Sequence, residues 1–335
     1  MTLCPVQSIC GGCPQLSDSL DAQRERHISR VEKQLGIPVS EYIPSPRSLA
    51  YRARIELTRG RDGALGFRSP KTHDNVSIRH CPVAREEINA ILERLPTAPR
   101  AIERVALRSN GNQVVMHASC KDKARHSART WLEDLADLGI PLALNGRGVV
   151  GDPTTPLTVA GIEHRLSPAT FYQVNLEIND TLVQDVLKSV IGSDPTAVLD
   201  LFSGAGNLSL PLAAKGIQCT LIESHPTATK DARRTAAHHN LTVDVRTAKA
   251  ESFQAGDVFF DVAILDPPRK GVGKALEQVL LTRPKAIIMV SCNTRTLADD
   301  LKRAATLGYA MKSVRLYEMF PHTNHVEAMG ILSSR

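Results

Sequence analysis

The sequence predicts an α/β protein in which a doubly wound, mostly parallel sheet follows a smaller α+β domain. After residue 155, apolar strand-like runs alternate with helical segments, as expected for crossovers in a parallel sheet. Between residues 51 and 150, short strand-like runs are interrupted by only two helical segments. A chain of 335 residues is long for one core. We therefore expect two domains, at 1–155 and 156–335.

The first domain opens with a cysteine-rich loop and an amphipathic helix. Residues 17–36 place four apolar side chains near helical spacing, start on Ser and Asp cap candidates and close on Gly36. This helix could pack on the second domain. The following strand candidates are RARIELT, ALGFRS, RVALRS and QVVMHAS, with helices expected near 85–95 and 124–138.

The second domain contains seven strand candidates: AVLDLF, QCTLIES, TVDVRTA, FDVAILD, AIIMVSC, SVRLYEM and VEAMGIL. Helical segments separate the first five, which indicates parallel crossovers. Only the short PHTNH segment joins the last two. We therefore expect an antiparallel hairpin at one edge of the sheet.

Seven cysteines and no secretion signal argue against a disulfide framework. Cys4, Cys10 and Cys13 form a C-x5-C-x2-C motif, and Cys81 is a candidate fourth ligand. Four thiolates could hold a zinc ion or a [4Fe-4S] cluster, and a single close pair favours the cluster over paired zinc knuckles. Two further cysteines in apolar runs are expected to be buried, inert thiols: Cys120 and Cys219.

A glycine turn in LDLFSGAGN predicts a nucleotide-type ligand site. Gly204 and Gly206 would let a ligand approach the main chain, and Glu223 ends the next strand, where a carboxylate can hold ribose hydroxyls. A third glycine for a pyrophosphate is missing, and Asn207 follows the turn. These features favour S-adenosylmethionine over NAD. Asp266, in DPPRKG at another strand end, would face the ligand.

Cys292 ends the apolar run AIIMVSC, and Glu327 begins another. Strand ends at one sheet edge are where open α/β folds place their chemistry. A thiol nucleophile paired with a carboxylate base can methylate a pyrimidine carbon. Four side chains are candidates for the positive potential that would ionise the thiol: Arg269, Arg295, His322 and His325. The two histidines could equally fix the loop through hydrogen bonds.

The net charge of +6 is concentrated in residues 47–85. This stretch holds nine basic residues against three acids, and the basic ones are Arg47, Arg52, Arg54, Arg59, Arg61, Arg68, Lys71, Arg79 and Arg85. Such a block suits RNA, although an ordinary solvated face would look the same. Aromatic or guanidinium faces at Tyr51, Phe67 or Arg68 could stack on bases.

The motifs FYQVN, LDLFSGAGN, DPPRKG, SCNTRTLADDL and EMFPHTNHVEAM resemble, in order and spacing, those of the RNA uracil-C5 methyltransferases, which make 5-methyluridine in tRNA and rRNA. The resemblance implies a Rossmann-like class I S-adenosylmethionine-dependent fold and an enzyme of class EC 2.1.1. It implies Cys292 as the nucleophile and Glu327 as the base. The implied cofactor-site residues are Gln173, Phe202, Gly204, Asn207, Glu223 and Asp266. The implied [4Fe-4S] ligands are Cys4, Cys10, Cys13 and Cys81.

The cysteine loop begins at residue 4, so we expect no N-terminal TRAM domain of the kind that many members carry. Together with the cluster, this looks most like the 23S rRNA branch, with a tRNA T-loop enzyme as the alternative. A cytosine-C5 enzyme is disfavoured because DPPR carries no cysteine, and an amine methyltransferase because Arg269 replaces an aromatic residue. A non-catalytic iron–sulfur RNA-binding protein is a more remote alternative.

The chain has no apolar run of about 18 residues and no signal peptide. We expect a cytoplasmic monomer that binds RNA and no membrane.

Overall fold

Two large sheets and one separate hairpin organise the chain. The computed structural model describes residues 3–70, 72, 74–254 and 259–334, so Lys71 of the basic stretch lies outside the described residues. The α-helices among the described residues are α1 Gln7–Cys10, α2 Leu20–Leu35, α3 Glu86–Arg94, α4 Arg125–Glu133, α5 Leu176–Ile191, α6 Leu210–Ala213, α7 Pro226–His238, α8 Ala275–Leu281 and α9 Thr294–Thr306. The strands are β1 Glu41–Ile43, β2 Arg54–Arg59, β3 Leu65–Arg68, β4 Asn75–Ser77, β5 Ile102–Ser109, β6 Val114–Cys120, β7 Leu142–Leu144, β8 Arg147–Val150, β9 Thr155–Val159, β10 Ile162–Leu166, β11 Ala197–Leu201, β12 Gln218–Glu223, β13 Asp244–Thr247, β14 Val262–Leu265, β15 Ala286–Ser291, β16 Tyr309–Tyr317 and β17 Glu327–Ser334.

The larger sheet has the order β1-β16-β17-β15-β14-β11-β12-β13. All seven strand candidates of the second half form strands of this sheet, so the prediction of a doubly wound α/β fold is confirmed. The strands from β11 to β15 are parallel. Helices cover both faces, with α5, α6 and α7 on one and α2, α8 and α9 on the other. Burial on both faces explains why these strands are continuous apolar runs.

The predicted edge hairpin is wrong in its placement. β17 is antiparallel to both neighbours and lies between β15 and β16 inside the sheet. Its first four residues are buried, so they need partners on both sides. The edge next to β16 is instead occupied by β1, which pairs with it in parallel.

Helix α2 packs on the large sheet, although it precedes the smaller sheet in the chain. The Ser19 hydroxyl accepts a hydrogen bond from the Ala22 N–H at 3.2 Å and caps the helix, and Gly36 ends it in the left-handed conformation. Val31 is fully buried in the core next to α9. Helix α2 and strand β1 therefore complete the sheet formed by the second half of the chain.

The smaller sheet has the order β4-β3-β2-β5-β6-β7-β8 and packs against α3 and α4. Its four predicted strands and both predicted helices form. The sequence did not predict β4, β7 and β8, which are three or four residues long and depend on neighbouring strands. The hairpin of β9 and β10 connects the two sheets. Among the described residues, no helix combines the length and apolar character needed to cross a membrane.

Replacing Val31 with Ala should lower the free energy of unfolding by about 1–3 kcal/mol, because the side chain is removed from a closed core. Urea denaturation would measure the loss. Lys33→Ala, on the exposed side of the same helix, is the control and should change stability by less than about 0.5 kcal/mol. Equal effects of the two substitutions would show that α2 does not contribute to this core.

Candidate active site

The carboxyl ends of three neighbouring strands meet at one edge of the large sheet. Leu201 of β11 lies opposite Leu265 of β14, and Leu265 lies opposite Met289 of β15. The residues that follow these strands are therefore brought to the same edge. Phe202, Asp266 and Cys292, which are distant in the sequence, share this edge as the sequence predicts.

Cys292 and Glu327 are brought together by the antiparallel pairing of β15 with β17. Ser291 lies opposite Ala328, so the next position in the register places Cys292 opposite Glu327. Cys292 is half-buried, and Glu327 is only 2% exposed. On its other side, Glu327 lies opposite Tyr317 of β16. The thiol and the carboxyl thus share one small, largely dry region.

Burial in this region favours the protonated forms of its thiol and carboxyl groups, and one arginine opposes this effect. Burial raises the pKa of Cys292, and the carboxyls of Glu327 and Asp266 raise it further. Burial also raises the pKa of Glu327 well above its usual value, with the Asp266 carboxyl adding to the shift. Burial raises the pKa of Asp266 to about 7. The Arg269 guanidinium opposes the shift at both Cys292 and Glu327, so it is the group that can stabilise their charged forms.

The other candidate cations have different surroundings. Arg295 is exposed at the start of α9. His322 is buried and its main-chain N–H donates to Gln23 Oε1 at 2.9 Å, which is the loop-fixing alternative. His325 lies 3.5 Å from Arg269, and burial together with neighbouring arginines lowers its pKa. A neutral His325 supplies no positive potential to the thiol.

The glycine turn after β11 is tied to Glu223 at the end of β12. Phe202 has a left-handed backbone, with φ of 63°. The Gly204 N–H donates to Glu223 Oε2 at 3.1 Å, and the His225 N–H donates to Glu223 Oε1 at 2.7 Å. At Gly206, a side chain would lie 2.6 Å from Leu210. Both the turn and the carboxylate that faces it are therefore held in place.

Gln173 and Asn207, which the sequence places near the cofactor, have different roles within the chain. The Asn207 carboxamide accepts from the Tyr172 hydroxyl at 2.8 Å and pairs with Asn179 through two hydrogen bonds. Its side chain is thus occupied in anchoring the turn. Gln173 is half-buried and has no side-chain hydrogen bond to any described residue, so its amide is available to a ligand.

Sequence reasoning missed Asp200, which lies within β11 directly below the turn. This carboxyl is 1% exposed, and burial raises its pKa to about 8, with the carboxyls of Asp266 and Glu223 adding to the shift and the Ser209 hydroxyl opposing it. An acid inside the apolar run AVLDLF was the available signal, because a buried strand position rarely holds a carboxylate.

Cys4, Cys10, Cys13 and Cys81 line one cavity of about 320 Å³. No carboxylate is among the described residues that line it, and Arg52 is the buried cation on its wall. Burial raises the pKa of Cys10, Cys13 and Cys81, and Arg52 opposes the shift. Within the described ranges, no group of three or more His, Cys, Asp or Glu side chains is arranged to hold a metal ion. The predicted buried thiols, Cys120 and Cys219, are buried elsewhere.

Much of the basic stretch is used inside the protein. Four of its arginines hold partners within the chain: Arg54 pairs with Glu56, Arg59 donates to Ala98 O, Arg79 donates to Leu95 O, and Arg85 pairs with Glu177. Arg61 and Arg68 are exposed and have no partner among the described residues. The suggestion that Tyr51 stacks on a base is wrong, because its ring is fully buried and its hydroxyl donates to Pro321 O at 3.2 Å. Phe67 lies on the wall of the cysteine cavity.

Comparison with known proteins assigns the fold to a class. Residues 243–335 match the family model described as tRNA (Uracil-5-)-methyltransferase, and residues 198–278 match the model of a methyltransferase domain. The crystal structure of Pyrococcus abyssi tRNA (uracil-54, C5)-methyltransferase in complex with S-adenosyl-L-homocysteine superposes with a TM-score of 0.80 at 25% identity, covering 96% of this chain and 85% of that one. The fold is that of the class I S-adenosylmethionine-dependent methyltransferases.

Two curated relatives align along almost the whole chain. The 23S rRNA (uracil(1939)-C(5))-methyltransferase of Pectobacterium atrosepticum is 30% identical, over 98% of this chain and 79% of the relative. The enzyme of the same description from Dichelobacter nodosus is 28% identical, over 98% of this chain and 83% of the relative. The chain belongs to the RNA uracil-C5 methyltransferase family.

The Asp200 carboxyl should make stability depend on pH. Its pKa is near 3.9 in an unfolded chain and about 8 in the fold, so between these values unfolding releases a proton and stability falls as the pH rises. Asp200→Asn should remove up to about 1.4 kcal/mol per pH unit of this slope.

Urea denaturation of the ligand-free protein at pH 5, 7 and 9 would measure the slope. Asp244→Asn, an exposed acid on β13, is the matched control. If the Asp200→Asn and wild-type stability curves run parallel between pH 5 and 9, Asp200 is not protonated in the native state.

Proposed function

We infer that this chain transfers a methyl group from S-adenosylmethionine to C5 of a uracil in RNA, giving 5-methyluridine. The observation that carries this conclusion is the placement of Cys292 opposite Glu327, beside the glycine turn of a class I methyltransferase fold. A thiol nucleophile and a carboxyl base on the same side of a cofactor turn fit methylation of an unreactive pyrimidine carbon. The family membership established above supports the same reaction.

Uracil C5 is a poor nucleophile, so Cys292 must first activate the ring. The thiolate adds to C6, and the electron pair of the C5–C6 double bond moves into an enolate with density at C5. Bound S-adenosylmethionine supplies the methyl group from its sulfonium. C5 forms the new bond to the methyl carbon while the methyl–sulfur bond breaks and leaves its electron pair on the sulfur, and C5 still carries its hydrogen. Arg269 is placed to stabilise the thiolate that begins the sequence.

Glu327 completes the reaction. Its carboxylate removes the C5 proton, the electron pair restores the C5–C6 double bond, and the Cys292 thiolate leaves C6. Burial and Asp266 raise the pKa of Glu327, which makes its carboxylate a stronger base. The Arg269 charge opposes that shift in pKa and so favours the ionised form of Glu327. One arginine thus serves both the nucleophile and the base.

We place the cofactor along the carboxyl edge, against Gln173, Phe202, Gly204, Asn207, Glu223 and Asp266. Glu223 would hold the ribose hydroxyls, and its position beside Gly204 supports this assignment. Asn207 would act through its main chain, since its carboxamide is engaged with Tyr172 and Asn179. Gln173 and Asp266 would also contact the uracil, and the free amide of Gln173 supports that role.

We propose 23S rRNA as the substrate, because relatives with this activity align with 98% of the chain. A tRNA substrate is the second candidate, favoured by the structural neighbour from Pyrococcus abyssi. In either RNA, the uracil must leave its stack to reach a half-buried thiol. Exposed residues such as Arg61 and Arg68 would anchor the RNA by contacting its bases and phosphates. We further propose that the enzyme is a cytoplasmic monomer.

We also propose that Cys4, Cys10, Cys13 and Cys81 hold a [4Fe-4S] cluster. The convergence of these four thiols on one cavity without a carboxylate supports this donor set. The positive charge of Arg52 would offset the negative charge of a thiolate-bound cluster. Residues 1–155 would then form an iron–sulfur and RNA-binding domain, and 156–335 the methyltransferase domain. Helix α2 and β1 would belong structurally to the latter.

The reaction is tested with transcripts of a 23S rRNA fragment and of a tRNA, incubated with enzyme and S-adenosylmethionine and digested to nucleosides for mass spectrometry. We expect 5-methyluridine in the 23S fragment. Cys292→Ser should lower its formation about 10³-fold or more. Glu327→Gln should accumulate a denaturation-resistant RNA–protein adduct, because the C5 proton is no longer removed.

Cys120→Ser replaces a buried thiol away from the site and should methylate normally. Methylation of the tRNA alone would reassign the substrate. No 5-methyluridine in either RNA would overturn the proposed reaction.

The cluster is tested by iron and sulfide analysis of protein purified without oxygen. We expect about four iron atoms per chain. Cys81→Ser should lose most of this iron, because one ligand is removed, whereas Cys120→Ser should retain it. Stoichiometric zinc, or equal iron in both variants, would contradict the assignment.

A further inference from the structure

The loop of residues 319–326, between β16 and β17, is held by the N-terminal segment of the chain, which comprises residues 3–43. The Gln15 N–H donates to His322 O at 3.0 Å, and the Gln15 side chain donates to Asn324 Oδ1 at 2.5 Å. The His322 N–H donates to Gln23 Oε1 at 2.9 Å, and Gln23 Nε2 lies 3.2 Å from His322 Nδ1. Both main-chain polar groups of His322 are thus bonded to residues of the N-terminal segment. We call these contacts of Gln15 and Gln23 with His322 and Asn324 the clamp.

These contacts fix a backbone conformation that the loop would not adopt readily by itself. His322 is left-handed, with φ of 65°, although it is not a glycine. Gln23 is fully buried and also donates to Gln15 O at 3.0 Å, so the two glutamines brace each other. His27, one turn further along α2, lies 3.0 Å from Thr323 O through its Nε2. Such a conformation persists only where its surroundings over-determine it.

The loop connects this clamp to the reacting groups. Glu327 is the first residue of β17, directly after the loop, and Val326 before it is buried. Phe320 and His325, within the loop, form an edge-to-face contact, and His325 lies 3.5 Å from Arg269. Arg269 is itself held from the other side, through its main-chain oxygen, by Asn293 and Thr296. A change in the loop would therefore act first on the position of Glu327, which directly follows the loop in the chain.

The same clamp continues into the cysteine loop. The Leu16 N–H donates to Cys13 O at 3.2 Å, and Gln15 is two residues beyond Cys13. Arg52, on the wall of the cysteine cavity, lies over the Phe320 ring at 5.9 Å. The conformation of the cysteine loop is thus linked through short contacts to the loop of residues 319–326, which leads directly to Glu327.

We propose that Gln15 and Gln23 are positioning residues for Glu327, so that the N-terminal segment controls proton abstraction and release of the methylated RNA. The inference rests on the function proposed above and concerns its last chemical step. Addition of Cys292 and methyl transfer use Cys292, Arg269 and the cofactor turn, none of which is hydrogen-bonded to Gln15 or Gln23 among the described contacts. Loosening the clamp slows the step that needs Glu327 and leaves the earlier steps nearly unchanged.

Single-turnover reactions with a 23S rRNA fragment and methyl-labelled S-adenosylmethionine separate these steps. In Gln23→Leu, we expect release of methylated RNA to slow about 10- to 100-fold, since a displacement near 1 Å costs about that much. Methyl transfer should stay within about threefold of wild type, so the methylated adduct accumulates. Gln184→Leu, an exposed glutamine on α5, is the matched control and should release product normally. Wild-type release by Gln23→Leu would overturn the proposal, whereas absence of 5-methyluridine with the wild-type enzyme would instead overturn the proposed function.

A double-variant cycle tests whether Gln23 acts through Glu327. With Glu327→Gln in place, the clamp has no base to position, so adding Gln23→Leu should slow release no further. Additive slowing would show that Gln23 acts by another route and would refute the positioning role.

Hydrogen exchange of the RNA-free enzyme gives a readout that does not depend on activity. Gln23→Leu should accelerate amide exchange in peptides covering 319–328 and leave those covering 199–210 unchanged. Gln15→Leu, which removes only the side-chain bond to Asn324, should give the same pattern more weakly and keeps the test valid if Gln23→Leu fails to fold. Unchanged exchange of 319–328 in a folded Gln15→Leu and Gln23→Leu would overturn the proposal.

Discussion

The antiparallel pairing of β17 with β15 is the constraint on which the active site depends. In a sheet of parallel strands, only carboxyl ends meet at the catalytic edge, so a residue that begins a strand would lie at the opposite edge. Because β17 runs backwards between β15 and β16, its first residue, Glu327, arrives beside Cys292. Insertion inside the sheet also buries Glu327. The reversal of direction thus brings the carboxyl beside the thiol, and the position inside the sheet supplies the low polarity that raises the pKa of that carboxyl.

Two opposing effects, burial and the charge of one arginine, set the protonation of the groups at this edge of the sheet. Burial raises the pKa of Asp200, Asp266, Glu327 and Cys292, so the ligand-free site favours uncharged groups. Arg269 is the described cation that counteracts these shifts at Cys292 and Glu327. Its main-chain oxygen accepts hydrogen bonds from Asn293 and Thr296 of the segment that follows Cys292, which holds it near the thiol. The position of this cation beside the thiol therefore depends on a contact between two loops.

The N-terminal segment has two structural roles that its position in the chain would not suggest. It carries three of the four cysteines that line one cavity, and it supplies α2 and β1 to the large sheet. Gln15, which follows these cysteines, and Gln23, in the first turn of α2, bind the loop that precedes Glu327. The cysteine cavity and the reacting residues, which belong to different sheets, are thereby connected through a few short contacts. A structural centre placed here can matter for catalysis without taking part in the chemistry.

The strands of the parallel sheet and the glycine turn could be predicted from the sequence, because strand burial and turn geometry leave local patterns in residue type and spacing. The sequence also predicted Cys292 and Glu327 as the reacting pair, and the structure places them opposite each other. The position of β17 inside the sheet and of β1 at its edge could be seen only in the tertiary structure. The partner of a short strand depends on which strand edges the rest of the fold leaves without hydrogen-bond partners. The tertiary structure also decided that Tyr51 is buried, that several arginines of the basic stretch are used internally, and that Gln23 faces His322. Such contacts join residues up to 309 positions apart, and no local pattern encodes a partner at that distance.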